Sequence, residues 1–196
     1  MKTMTDKAPP ASAEDDRPDL SHPDPAEAFG ALFDRHARHL HRYLAGRAGP
    51  AADDLLSETF LAALQSRATY DPGRATARAW LYGIATNVLR KHARLGKRHQ
   101  CAVSAAERLP ERVESHEGRV AEKVDAQTRA QQLAAALERL EDRDRDVLLL
   151  SSWAQLDAAE VAEALGIPVG TVRSRLHRVR RQLRVEAPKV GSKGDE

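Results

Sequence analysis

The segment LDAAEVAEALGIPVGTVRSRLHRVRRQLR, Leu156 to Arg184, leaves little choice of local fold. Asp157 and Glu160 stand at capping-box spacing, where each side chain can satisfy a backbone amide that the first helical turn leaves free. A helix started there buries Val161 and Leu165. Gly166 supplies the left-handed residue that ends it, Ile167 fills the core beneath the turn, and Pro168 suits the restart of a second helix. Helix, tight turn and helix in that order predict a helix-turn-helix unit.

The second helix carries six arginines and one histidine between Leu165 and Arg184, with no acid among them. Val172, Leu176, Val179 and Leu183 recur at spacings of four, three and four, so they form the inward stripe. Thr171, Arg173, Ser174, Arg175, His177, Arg178 and Arg181 make up the candidate recognition surface. A major groove admits one helix, whose N-terminal part reads base edges while flanking cations neutralise phosphates. Arg173, Ser174 and His177 are the base-reading candidates, and the other arginines the phosphate contacts. A basic helix in water would carry the same charges, but the capped helix and glycine turn before it favour the groove-binding reading.

Elsewhere the patterning predicts an all-α chain of two small helical domains joined by a flexible linker. Residues 1–25, with Pro9, Pro10, Pro18, Pro23 and Pro25 among Asp, Ser and Ala, are expected to be a disordered tail. Residues 26–97 form the first domain. Its first helix starts at Ala26 with Phe29, Leu32, Phe33, His36, Leu40, Tyr43 and Leu44 at helical spacing, and Gly49 and Pro50 stop it. A second helix turns Leu55, Leu56, Thr59, Phe60, Ala63 and Leu64 inward, Tyr70-Asp71-Pro72-Gly73 reads as a turn, and a third helix runs from Thr76 to Leu95. Trp80, Leu81, Ile84 and Val88 face its core, and spacing assigns Tyr82 no role. Residues 98–124 read as linker, 125–186 as the helix-turn-helix domain with Leu133, Ala136, Leu137 and Leu140 aligned, and 187–196 as a polar tail.

Composition sets the outer bounds. Hydrophobic residues at 41% and charged residues at 31% suit a helical protein in water, and the 4% aromatic content means cores of Leu, Ala and Val. The net charge is only +2, but Arg90 to Arg98 and Arg173 to Arg184 are strongly basic, so local fields dominate. A single cysteine, Cys101, excludes an internal disulfide framework and a cysteine-rich zinc site and points to a reduced, cytoplasmic setting. The longest aliphatic run, Val147 to Leu150, falls far short of the roughly 20 residues that span a bilayer. No metal or cofactor is expected: His36 belongs to the apolar stripe of its helix, His39 and His41 are expected in water, and no HExxH pattern accompanies them. Neither a P-loop nor a GxSxG elbow occurs, so the chain is not expected to be an enzyme.

Leu156 to Arg184, with RDVLLLSSW before it at Arg145 to Trp153, resembles the promoter-binding C-terminal domain of bacterial RNA polymerase sigma factors, especially the small extracytoplasmic-function group. DDLLSETF at Asp53 to Phe60 and RAWLYGIATNVLRKHAR at Arg78 to Arg94 resemble the signature helices of their polymerase-binding domain, in the same order. The resemblance implies that Asp54, Ser57, Glu58 and Leu61 grip the clamp of the largest subunit of core RNA polymerase; the family usually has glutamine at the place of Ser57. It also implies that Asn87, Arg90, Lys91 and Arg94 meet the minus-ten element, with an extruded base near Asn87, while the recognition helix enters the minus-thirty-five groove. An amide beside a basic row suits single-stranded DNA on its own chemistry. Promoter DNA, core polymerase and an anti-sigma factor are the implied partners. The competing readings are a free-standing dimeric helix-turn-helix regulator, which needs a dimer surface that the sequence does not offer as a coiled-coil seam, and an interaction protein that only sequesters partners.

Overall fold

A computed structural model describes residues 16–21, 24–106, 135–137 and 139–186. Expectations for residues 1–15, 107–134 and 187–196, including most of the linker, Leu133 and the polar tail, fall outside them. Helix α1 (Ala26–Ala48) begins where Asp24 accepts from the Ala26 amide and ends at Gly49, whose φ of 55° lies in the left-handed region. The 3₁₀ turn Gly49–Ala51 then leads into α2 (Ala52–Gln65), with Asp53 and Asp54 in the first turn, where the helix dipole favours acids. A turn at Asp71 follows, its carboxylate accepting from the Gly73 amide, as the Tyr70-Asp71-Pro72-Gly73 signature predicts.

Helix α3 (Ala77–Ala106) is longer than the sequence suggests, running nine residues past the expected domain boundary at residue 97. Weak apolar periodicity there removes the usual signal for a helix, but α3 has no Pro to stop it. The C-terminal unit comprises a helical turn at 135–137, α4 (Asp142–Ser152), α5 (Ala158–Leu165) and α6 (Val169–Glu186). Arg145 ties the earlier turn to α4 by donating to the carbonyls of Leu137 and Leu140 at 2.8 and 3.1 Å. The described residues contain no strand.

The two helical sets pack against one another and share one continuous apolar cluster. It runs from Leu40, Leu44, Leu55, Leu81 and Ala85 to Val147, Leu150, Val161 and Val172. Gly83 of α3 makes the close crossing with α5 possible: a Cβ there would lie 2.5 Å from the Ala164 carbonyl oxygen. Gly46 of α1 likewise leaves room for the ring of Trp153. Arg78 crosses the same boundary, donating to the carbonyls of Ala154 and Gln155, and Arg74 pairs with Glu163 at 2.8 Å.

Residues 16–21 depart from the disordered tail expected over residues 1–25. Asp16 and Leu20 are buried, and Leu20 joins Leu32, Tyr70 and Ala77 in a second small cluster. Proline and polar residues dominate the composition, but one Leu and one Asp find partners that composition does not register. Burial acts to raise the Asp16 pKa; the hydrogen bond and charge of His36, the Arg78 amide and Arg35 outweigh it and hold the carboxyl below its ordinary 3.8. The folded carboxylate therefore binds its proton less readily than the unfolded one. Its stabilisation is fully present above pH 3.8 and drains as the pH falls through the lower folded value. Asp16→Asn is expected to flatten the acid limb of a stability-against-pH curve measured by denaturant unfolding; an unchanged acid limb would show that Asp16 carries none of it.

Candidate nucleic-acid interface

The helix-turn-helix forms as the spacing predicts. The Asp157 carboxylate accepts from the amides of Ala159 and Glu160 at 2.7 and 2.9 Å, and Glu160 accepts from the Asp157 amide at 2.9 Å, completing the capping box. Gly166 ends α5 at φ 63° and ψ 38°, and the Ile167 amide reaches back to the Ala162 carbonyl at 3.0 Å. Val172, Leu176 and Val179 are buried, which fixes the opposite face of α6 in solvent. Arg173, Ser174, His177 and Arg181 are exposed on it, and Thr171 is half-buried. Ser174 Oγ donates to the Thr171 carbonyl at 3.0 Å.

Arg175 and Arg178 differ from the other arginines of α6. Arg178 makes a two-pronged pair with Asp144 of α4, at 2.7 and 2.8 Å, and this hydrogen bonding raises its pKa further. Arg175 lies 3.9 Å from the same carboxylate with its side chain largely covered. A bidentate carboxylate fixes a guanidinium in one orientation, so these two brace α6 on α4.

In the first helical set, Asp54, Ser57 and Leu61 are exposed on α2 and Glu58 is half-buried. Leu61, at 54% exposure, is an exposed apolar side chain, and Ser57 Oγ donates to the Asp53 carbonyl. Leu55, Thr59 and Ala63 face the core as expected, while Leu56, Phe60 and Leu64 are half-covered; the Phe60 ring meets that of Phe33 at 4.9 Å. Glu58 and Lys91 pair at 2.7 Å across a shallow groove of about 540 Å³ between α2 and α3, which Asn87 and Arg94 also line. The acid assigned to one role and the amide and cations assigned to another therefore lie on one surface. Arg94 remains exposed, its Nε donating to the Arg90 carbonyl.

Arg90 is engaged elsewhere. Its Nε donates to Asp146 Oδ2 at 2.7 Å, and Arg47 of α1 places Nη1 2.7 Å from Oδ1. The second contact is a charge pair without an aligned hydrogen bond on Oδ1. Asp146 is fully buried, so one acid of α4 holds cations from α1 and α3. Sequence reasoning missed Asp144, Asp146 and Arg47, because acids alternating with arginines in DRDRD carry no apolar period that would mark a buried side. Tyr82, without a role on spacing, is buried edge-on against Tyr43 with ring centroids 5.2 Å apart, and burial pushes its pKa up to about 12. It has no face free for a base. Trp80 is half-covered and tilted against Tyr70 at 5.0 Å, in line with a packing role.

Among the histidines, His36 is packed but not merely apolar, since its Nε2 lies 2.7 Å from Asp16 Oδ1. His39 is exposed, and His41 lies 3.0 Å from Asp53. No group of three metal-binding side chains occurs among the described residues, and no helix there is long and apolar enough to cross a membrane.

A capped helix-turn-helix with a basic outer face, packed on a helical unit that joins an acidic and apolar face to a basic groove, defines the class of helix-turn-helix DNA-binding proteins. Comparison narrows this class. Residues 32–99 match the family Sigma-70 region 2, and residues 130–183 match Sigma-70, region 4. The sigma factor SigL of Mycobacterium tuberculosis, an extracytoplasmic-function RNA polymerase sigma factor, is 33% identical over 171 residues, covering 85% of this chain and 92% of SigL. The RNA polymerase sigma factor CarQ of Myxococcus xanthus is 35% identical over 161 residues, covering 81% and 88%. Among solved structures, CnrH in complex with the cytosolic domain of CnrY superposes with a TM-score of 0.55 at 27% identity, over 81% of this chain and 86% of that one. The chain belongs to the extracytoplasmic-function sigma factors of RNA polymerase. It is a promoter-recognition factor for transcription initiation, and sigma factors as a class are non-catalytic.

Proposed function

We propose that this sigma factor divides its work by face. Asp54, Ser57, Glu58 and Leu61 of α2 bind the clamp of the largest polymerase subunit, and Asn87, Arg90, Lys91 and Arg94 of α3 take the minus-ten strand. Thr171, Arg173, Ser174, Arg175, His177, Arg178 and Arg181 of α6 form the minus-thirty-five contact, with Arg173, Ser174 and His177 toward the bases. The observation that carries this reading is the sidedness of α6: Val172 and Val179 are fully buried, and Arg173, Ser174, His177 and Arg181 stand opposite them in solvent. An exposed Leu61 flanked by acids supports a protein partner on α2, because a protein interface excludes water from apolar surface.

The factor acts in the cytoplasm and has no active site of its own; polymerase supplies the chemistry. Two DNA-binding units on one chain raise the effective concentration of the second contact once the first has formed. Release from an anti-sigma factor would gate this activity, and the superposition with CnrH, solved in complex with the cytosolic domain of CnrY, supports that partner class.

A reconstituted transcription assay tests the whole reading. Core polymerase with this chain should start transcripts at discrete promoters, and alanine at Leu61 should lower polymerase affinity without lowering binding of the isolated chain to minus-thirty-five duplex. No promoter-specific start with added chain, or a stable dimer that ignores core polymerase, would reject it in favour of a free-standing regulator.

A further inference from the structure

The segment from Asp16 to Leu20 reaches three parts of the first helical set at once. Asp16 Oδ1 meets His36 Nε2 of α1 at 2.7 Å, and Oδ2 accepts from the Arg78 amide at 2.9 Å. The Asp16 carbonyl accepts from the Ala77 amide at 2.8 Å. One residue, more than sixty positions away in sequence, thus satisfies the first two amides of α3, and Thr76 Oγ1 satisfies the third at Ala79, 3.1 Å away. The neighbouring Arg17 donates to the Pro72 carbonyl, and Leu20 packs under Tyr70 and Ala77.

We propose that Asp16 is a positioning residue for promoter opening: it closes the N-terminus of α3 from a distance and pins the turn at residues 70–76 to α1. This rests on the reading of α3 as the minus-ten helix. An α-helix start that loses the acceptor of a first-turn amide frays, and the Asp16 side chain is that acceptor for Arg78. Fraying at Ala77 and Arg78 shifts the turn before the helix and the direction in which Asn87, Lys91 and Arg94 meet the strand. Asp16 itself is buried and touches no DNA; it acts through the helix it caps.

Local geometry separates this role from general support of the fold. The hydrogen bonds of Asp16 and Arg17 run to α1, to the start of α3 and to the turn before it, so polymerase affinity and duplex recognition are not expected to depend on them. Asn at this position keeps an oxygen for the Arg78 amide while removing the charge pair with His36 and Arg35. Ala removes both.

Full-length parent, Asp16→Ala, Asp16→Asn and Asn87→Ala chains would be compared for affinity to core polymerase, permanganate-detected opening of the minus-ten strand, and hydrogen exchange at residues 70–78. Asp16→Ala should lower opening about tenfold, the change expected from losing a helix cap and a buried hydrogen bond together. Polymerase affinity should stay within twofold, and exchange should accelerate at Arg78, whose amide loses its acceptor, and less at Ala77, whose acceptor is the backbone carbonyl that the substitution keeps; Asp16→Asn should recover most of the opening. Unchanged exchange at those amides overturns the proposal, as does a parallel loss of opening and polymerase affinity. Should Asp16→Ala fail to fold, Asp16→Asn decides through His36→Ala, which ought to match it in opening and exchange if the cap oxygen is what matters. Silence of Asn87→Ala in the opening assay would instead reject the minus-ten reading of α3, and exchange alone then judges Asp16.

Discussion

Alanine at Asp146 should separate the two helical units without unfolding either. The carboxylate is fully buried and holds Arg90 on one oxygen and Arg47 beside the other. Removing one partner of a buried pair costs ~3–5 kcal/mol, because the opposite charge is left in a dry site. Arg47 feels this most: only 13% of its side chain is exposed, and its other contact is a hydrogen bond to the Tyr43 hydroxyl. In a single rigid core that cost would appear as lost stability. Here the stranded cations belong to one unit and the acid to the other, so moving the units apart hydrates both arginines, against the cost of exposing part of the apolar cluster that they share. Small-angle scattering should report a larger radius of gyration for Asp146→Ala, and melting should shift less than the buried-pair figure demands. Gly83→Val should do the same by a different route, since its side chain meets the Ala164 backbone. A compact Asp146→Ala chain with a normal radius would show that the shared apolar cluster alone holds the units together.

The prediction bears on function because Arg90 belongs to the basic row of α3. While Asp146 holds it, a phosphate must displace a buried carboxylate to use that cation. Opening hydrates Arg90, and binding of single-stranded minus-ten DNA by the isolated chain should strengthen in the same variant. Lys91 obeys the same logic with Glu58, but that pair is partly open to solvent and contributes little.

Local patterns were read from sequence more fully than long-range ones. The helix-turn-helix was legible because each of its signals, Asp157 with Glu160, Gly166, and the spacing of Val172, Leu176 and Val179, acts within a few residues. Candidate faces on α2, α3 and α6 were legible for the same reason. The spacing that identifies a buried stripe also defines its opposite side. Asp16, Asp144 and Asp146 were not, since a carboxylate carries no periodic signal and its partners lie 20 to 99 positions away, from His36 for Asp16 to Arg47 for Asp146. Gly46 and Gly83 also look idle in sequence; each is needed only because Trp153 or Ala164 arrives from the other unit. The extension of α3 to Ala106 is not legible in the sequence because apolar spacing fades before the helix ends.

Alanine at Arg173 and at Arg181 should impair DNA binding in two distinguishable ways. Both side chains are exposed on the outer face of α6, but Arg173 lies one turn into the helix and Arg181 three turns in. A groove-bound helix brings its first turns to the base edges and its later turns out to the backbone. Arg173 is therefore assigned a base contact and Arg181 a phosphate. Loss of a bidentate arginine contact to a base costs ~1–3 kcal/mol and relaxes preference at that base pair. Arg173→Ala should thus bind the correct minus-thirty-five duplex about 5- to 150-fold more weakly while losing discrimination at one position. For Arg181→Ala the loss should be similar on every sequence, and the slope of log affinity against log salt should fall by about 0.9, the release of one phosphate's counterions. Arg178 should behave differently from both. Its guanidinium is already fixed by Asp144, so alanine there removes the brace between α4 and α6 and should lower the melting temperature as well as affinity. Equal salt slopes and equal specificity for the Arg173 and Arg181 variants would mean that α6 does not enter the groove by its N-terminal end.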